Sequence, residues 1–222
     1  MTAETQLYFV EVAQGEEPTF TFRALQGDED EDVYQTLEFL ADYAGKCYLT
    51  ALYLRSWANI FHVWVFRREE DKRILGFLTT EPLSAIDVIP WNILLPHDSR
   101  IRVEPPALYL MDLVIDPDHR RFGGATTMTR HVVQTGDMYE VDGETFRYDR
   151  AYAISRVPCD DRPATTSFGV LTRCGFDEVL RMEDYYITAH KHGWHCPICD
   201  PLRRGLGCDC TGVLMEWRRR EE

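Results

Sequence analysis

Two stretches of the chain carry residue types whose spacing could do chemistry. The first is Cys196-x2-Cys199-x8-Cys208-x-Cys210. A Cys-x2-Cys knuckle sets two thiolates on one metal, and a second pair ten residues on can close a tetrahedral site. Glycines at 205, 207 and 212 permit the tight turns this needs. The pattern predicts a structural zinc ion on Cys196, Cys199, Cys208 and Cys210, with His195 or His192 replacing one thiolate as the main variant. The competing reading is a reduced, redox-labile loop. A filled four-thiolate site has no open position, which argues against a catalytic metal. The second stretch runs from Leu108 to His131, where a strand pattern leads through Arg120-Arg121-Phe122-Gly123-Gly124-Ala125 into a helix pattern. A helix start carries unsatisfied N–H groups and the positive end of the dipole. Small residues there let a phosphate approach the backbone, and arginines pair with it. Two glycines before a helix are also what a plain helix start looks like.

The elements that must position these groups are legible as periodicities. Strand-like runs cover 7–12, 19–25, 61–67, 73–80, 107–115, 149–156, 178–189 and 212–219. Helical spacing covers the region of Val33, Leu37, Leu40 and Ala41, then 47–60, 124–134 and 161–173. The acidic run Asp28–Asp32 reads as a solvated helix start. Runs 61–67 and 73–80 read as a hairpin joined by Arg68–Lys72. Residues 84–106, with four prolines, are irregular, and 136–147 read as an insertion or loop. No internal repeat is present. Strands mixed with helices, with one strand–glycine loop–helix unit, predict an α/β or mixed-sheet α+β chain built on a single sheet.

Composition bounds the function. The chain has 222 residues, 45% of them hydrophobic, which is ample for a packed core. Its formal net charge is −13, against a non-specific nucleic-acid grip and compatible with a cationic partner. No signal segment and no apolar window of about 18 residues is present, so the expectation is a cytoplasmic protein without a membrane span. Seven cysteines suit a reducing compartment, and Cys47, Cys159 and Cys174 read as buried small hydrophobes.

The spacing Arg120-x-x-Gly123-x-Ala125, entered after Ile115-Asp116-Pro117, resembles motif A of the GNAT superfamily of N-acetyltransferases, in particular the spermidine/spermine-type enzymes. Cys174-Gly175-Phe176 is similar to the Gly-Phe of the family's fourth motif. The resemblance covers roughly 20–189 and 212–219. It implies a single GNAT domain over 1–222, with the zinc knuckle at 190–211 embedded between the last two strands. It implies acetyl-CoA as cosubstrate. Backbone groups of Leu113, Val114 and Ile115 would hold the pantetheine arm. Backbone N–H groups from Arg120 and Arg121 through Phe122, Gly123, Gly124 and Ala125, with Thr126, would hold the pyrophosphate. A strand amide beside Val114 would serve the oxyanion. The acceptor would be a primary amine of a small cationic molecule or of a protein.

The family's proton-transfer groups do not carry over. Met111 stands where polyamine-type enzymes have Glu, and Leu171 stands where many GNATs have Tyr. Three explanations compete. Other groups do the work, with Asp112 and Tyr109 as the named candidates and Glu104 and Ser167 behind them. Or water chains suffice. Or the chain is an inactive GNAT-fold protein that binds a partner through its zinc loop. Strand alternation places Asp112 on the face opposite Met111 and Tyr109 on the same face as Met111.

Overall fold

The computed structural model describes residues 8–10, 20–25, 30–43, 62–83, 106–136, 138–157, 167–183, 185–186 and 210–220. The expected helix at 47–60, the irregular segment up to 105, and Cys196, Cys199 and Cys208 lie outside the described residues. The chain divides into two compact units, Met1–Glu81 with Met111–Val132, and Pro82–Leu110 with Val133–Glu222.

In the first unit β1 (Tyr8–Val10), β2 (Phe20–Ala24), β3 (His62–Arg68) and β4 (Ile74–Leu83) pair in that order, with the Met111–Ile115 end of β5 (Ala107–Ile115) beside β4. The β3–β4 ladder is antiparallel, as the hairpin reading expects. Alternation along these strands buries two faces. One carries Phe20, Phe22, Trp64 and Phe66; the other carries Val65 and Phe77. Helix α1 (Asp30–Tyr43) sets Phe39 edge-on to Phe77, with ring centroids 6.3 Å apart. Here the solvated reading of the acidic run fails at its last residue. Asp32 is buried, pairs with Arg23 of β2, and lies 3.6 Å from Arg67 of β3. Two strand arginines facing α1 need a counter-charge, and Asp32 supplies it on the helix's inner side. The opposite face of β2 and β3 receives α2 (Gly124–His131), which continues into a π turn over Val132–Gly136.

Gly76 on β4 sits where β5 ends. A Cβ there would lie 2.7 Å from the Val114 carbonyl oxygen and press on the Ile115 side chain. Absence of a side chain lets β4 and the last turn of β5 close, and the Asp116 N–H then reaches the Leu75 oxygen at 2.8 Å.

In the second unit the neighbours are β5, β8 (Arg150–Val157), β10 (Thr211–Arg218) and β9 (Asp177–Met182). β5 and β8 are parallel, whereas β10 is antiparallel to both its neighbours, so the pairing is mixed. Helix α3 (Ser167–Arg173) is tied to β8 by a 2.8 Å hydrogen bond between the Ser167 and Ser155 hydroxyls. The segment read as a loop at 136–147 is instead a hairpin, β6 (Met138–Val141) and β7 (Glu144–Arg147). Its tip, Asp142-Gly143, has φ of 53° and 81°, the mirror-image turn that Asp-Gly favours. The strand read at 178–189 ends at Met182. No described helix is long and apolar enough to cross a membrane.

Two outcomes follow from this packing. Gly76→Ala should lower stability by about 1–3 kcal/mol, because rigid backbone opposes the new methyl group; urea unfolding measures it. The β3–β4 turn adds a pH term. Burial disfavours the ionised Glu69 carboxylate, but hydrogen bonds from Lys72 and Thr21 and the charge of Arg67 outweigh this and hold it at about 2, below the ordinary 4.5. A depressed carboxylate stabilises the fold above the unfolded value and loses that contribution as pH falls toward 2. Glu69→Gln should flatten the stability–pH curve between about 4.5 and 2.

Candidate functional site

β5 is buried over Ala107–Leu110 and half-buried over Met111–Val114. Its parallel ladder with β8 comprises Leu108–Ala151, Tyr109–Tyr152 and Leu110–Ala153. Among the described residues, no pairing with β8 continues beyond Leu110. A strand needs partners for its N–H and C=O groups, so five further residues of β5 offer one edge to something other than that ladder.

The chain then turns at Asp116, whose side chain is buried. Its Oδ1 accepts the Asp118 N–H at 2.8 Å and lies 3.2 Å from His119 Nδ1, while Oδ2 lies 3.4 Å from Arg73 Nη2. Pro117 opens a 3-10 turn over Pro117–His119. Arg120 folds back, its Nε donating to the Ile115 oxygen at 3.2 Å. Part of the Arg120 guanidinium therefore fixes the strand end, a duty the sequence reading did not assign to it. Arg121 and Gly123 both have left-handed backbone, φ 76° and 86°. At Gly123 a Cβ would meet nothing within 4 Å, so the demand for glycine is conformational. At Gly124 the demand is space: a Cβ would lie 2.8 Å from Phe66 Cζ. The two adjacent glycines thus answer two different constraints, one of turn and one of packing.

α2 begins with no side-chain cap at Gly123, and the first intrahelical bond is Thr127 N–H to the Gly123 oxygen at 2.9 Å. The N–H groups of its first turn have no acceptor within the helix. Left-handed residues at 121 and 123 curl the preceding backbone into the concave shape that gathers N–H groups around an anion. Arg121 is exposed, and the Phe122 ring, 41% exposed, stands 5.9 Å from Phe20. The inner side of α2 is anchored by His131, whose ring stands edge-on to Phe22 and Trp64 at 4.9 and 5.1 Å.

The structure separates the two proposed proton carriers. Asp112 is engaged with Thr79 of β4 in a closed pair: its N–H donates to Thr79 Oγ1 at 3.2 Å, and the hydroxyl donates to Asp112 Oδ2 at 3.1 Å. Tyr109, 1% exposed, stands opposite Tyr152 of β8. Ser167 is engaged with Ser155, and Glu104 lies outside the described residues. Leu171 is buried and Met111 half-buried. Sequence reasoning missed a buried polar cluster. Tyr152 Oη donates to Glu216 Oε1 at 2.8 Å, with Arg150 and Arg218 beside the same carboxylate. The signal was available as one Glu inside the otherwise apolar run of β10. Of the expected zinc ligands, Cys210 is described and fully buried at the entrance to β10. Among the described residues, no three His, Cys, Asp or Glu side chains converge as a metal site.

No protein-family model and no curated protein matches the sequence. Solved structures do resemble it. Arabidopsis thaliana NAA60 in complex with acetyl-CoA aligns over 90% of this chain and 99% of its own, with TM-score 0.55 and 16% identity. A GNAT-family acetyltransferase from Streptococcus pneumoniae aligns over the same shares, with TM-score 0.55 and 11% identity. The ribosomal-protein-S5-alanine acetyltransferase of Vibrio fischeri aligns over 95% of this chain and 98% of its own, with TM-score 0.54 and 11% identity. The mixed sheet, the strand–turn–helix unit and these alignments together give the chain the fold of the GNAT acetyltransferases.

Proposed function

We propose that the chain is an acyl-CoA N-acyltransferase that moves acetyl from acetyl-CoA to a primary amine of a small cationic molecule or a protein. The observation that carries this reading is the uncapped start of α2, reached through left-handed Arg121 and Gly123 directly after the half-exposed end of β5. That arrangement suits a cosubstrate with an amide-bearing arm and a pyrophosphate. Backbone groups of Leu113, Val114 and Ile115 hold the arm, as an added strand would. N–H groups from Arg121 to Ala125, with Thr126, hold the diphosphate, and the exposed Arg121 adds charge. Arg120 contributes by fixing the turn. The acetyl thioester supplies the electrophile. The chain's own task is to orient a neutral amine and to take up its proton. Asp112, bonded to Thr79, and Tyr109, buried opposite Tyr152, are the two candidates for that proton.

The acceptor surface is assigned by the same reading to the cysteine segment. Cys196, Cys199, Cys208 and Cys210 make a donor set that suits structural zinc, and the burial of Cys210 suits a closed rather than a catalytic site. Metal analysis of the purified chain should give one zinc per chain, released when the thiols are titrated with a mercurial. A zinc-free, fully folded chain overturns this assignment.

Calorimetric titration with acetyl-CoA, followed by mass analysis of an amine and protein panel, tests the function. Binding with an acetylated product is expected. Binding without product on any acceptor favours the inactive partner-binding reading, which the apolar Met111 and Leu171 support. Absence of binding up to about 1 mM, equivalent to about −4 kcal/mol, overturns the cosubstrate site. Gly123→Val should weaken acetyl-CoA binding at least tenfold. Gly143→Val imposes the same left-handed strain at the hairpin tip and should leave binding unchanged.

A further inference from the structure

The hairpin β6–β7 has no part in the acetyl-transfer reading, and all of it lies in the second unit. Its four cross-strand pairs run without interruption from Met138–Arg147 to Val141–Glu144. Every residue of β7 is exposed, and the Phe146 ring is 40% exposed. A two-stranded ribbon is marginal in water and gains stability from further strands. The two-residue turn Asp142-Gly143 makes Val141–Glu144 a hydrogen-bonded pair. Alternation then gives Tyr139–Phe146 the same role and turns the N–H and C=O groups of Thr145 and Arg147 away from β6. Among the described residues, no strand pairs with that outer edge of β7. Edge strands are usually guarded. β9, at the edge of the main sheet, has its ladder interrupted between Leu214 and Met215 and carries the Glu178–Arg181 ion pair. β7 has no such interruption, and its charges are sorted by position. Asp142 and Glu144 lie at the tip, Arg147 and Arg150 at the base.

We propose that the outer edge of β7 is a docking surface for a second copy of this chain, the two β7 strands pairing antiparallel about a two-fold axis at Phe146. Hydrogen-bonding parity restricts the register, because groups that face the other strand must stand opposite one another. Thr145 then pairs with the partner's Arg147, Arg147 with the partner's Thr145, and Phe146 with its own copy. Centring the axis on Thr145 also satisfies parity, but it sets each Phe146 ring against a Glu144 carboxylate. Centring it on Phe146 sets ring against ring, the better cross-strand pair. The same register carries the acidic tip of each hairpin, Asp142 and Glu144, toward the basic base of the other, where Arg147 is exposed and Arg150 half-buried. A parallel arrangement would set tip against tip and acid against acid. Charge complementarity thus selects the antiparallel copy, and the product is a four-stranded sheet in the order β6–β7–β7–β6. Each copy contributes the same patch, as closed two-fold symmetry requires. This surface stands apart from the acetyl-CoA reading and does not depend on it.

Analytical ultracentrifugation of the full chain without acetyl-CoA tests the surface. The paired segment is small against the roughly 1,200 Å² of a stable interface, so a Kd of about 10–100 µM is expected. Loading from roughly 5 to 500 µM brackets it. Thr145→Pro removes an outward N–H while sparing the bonds to β6. Phe146→Asp sets two carboxylates face to face on the axis. Each should weaken the dimer about tenfold or more and leave thermal unfolding of the chain unchanged. Cross-linking reports the register. Phe146→Cys places two Cβ atoms about 5 Å apart, and mild oxidation should give a dimer linked through residue 146. Glu144→Cys stands about 13 Å from its own copy and should not cross-link. A chain that stays monomeric throughout the range overturns the proposal, whether or not a cationic peptide adds to the same edge. So does a dimer that Thr145→Pro and Phe146→Asp leave intact, or one in which Glu144→Cys cross-links and Phe146→Cys does not.

Discussion

The buried carboxylate of Asp116 is the constraint on which the loop and the elements around it depend. It leaves the end of β5 with its N–H bonded to Leu75 of β4. Its two oxygens are divided between the next turn, through Asp118 and His119, and the β3–β4 hairpin, through Arg73. Arg68 of that hairpin also stands 3.5 Å from His119 Nε2. A carboxylate this buried must be fully partnered, and its partners come from two separate pieces of chain. Their agreement on one geometry directs the backbone into the 3-10 turn rather than along an extended path. Loss of that carboxylate would free the turn from Arg73 of the hairpin and leave only the backbone bond to Leu75.

Downstream of Asp116 the loop carries strain and close approach side by side. Arg121 holds a left-handed conformation that a non-glycine residue adopts at a cost. Gly123 takes the same conformation freely, and Gly124 lets α2 settle on Phe66. His131 holds the far end of the helix between Phe22 and Trp64. The helix start is thus pinned from behind by aromatic packing while its first N–H groups carry no cap. A rigid scaffold presenting uncapped backbone donors meets an anion with little reorganisation, which is the physical content of preorganisation.

Burial of polar groups follows one rule in both units. Asp32 is held by Arg23 and Arg67, and Glu216 by Tyr152, Arg150 and Arg218. In each case the carboxylate sits on one element and its partners largely on another. The hairpin β6–β7 shows the contrast: a two-stranded unit with β7 wholly exposed, formed by a strong local turn rather than by burial.

The sequence by itself determined the local parts of this protein. Alternation marked the β3–β4 hairpin and β5, Arg120-x-x-Gly123-x-Ala125 marked the strand–turn–helix unit, and the resemblance gave the fold class. The Asp142-Gly143 turn signal is equally local, but polar Glu140 and Glu144 beside it mask the alternation of its strands. What only the tertiary structure decided was pairing. That Asp32 would face two strand arginines, that Asp112 would be closed onto Thr79, that Arg120 would turn back to Ile115, and that Glu216 would meet Tyr152 all depend on register between segments 5 to 64 residues apart. Spacing along a chain fixes which face a side chain takes. It does not fix which neighbour waits there, because that is set by strand order and by the free energy of burying the whole sheet.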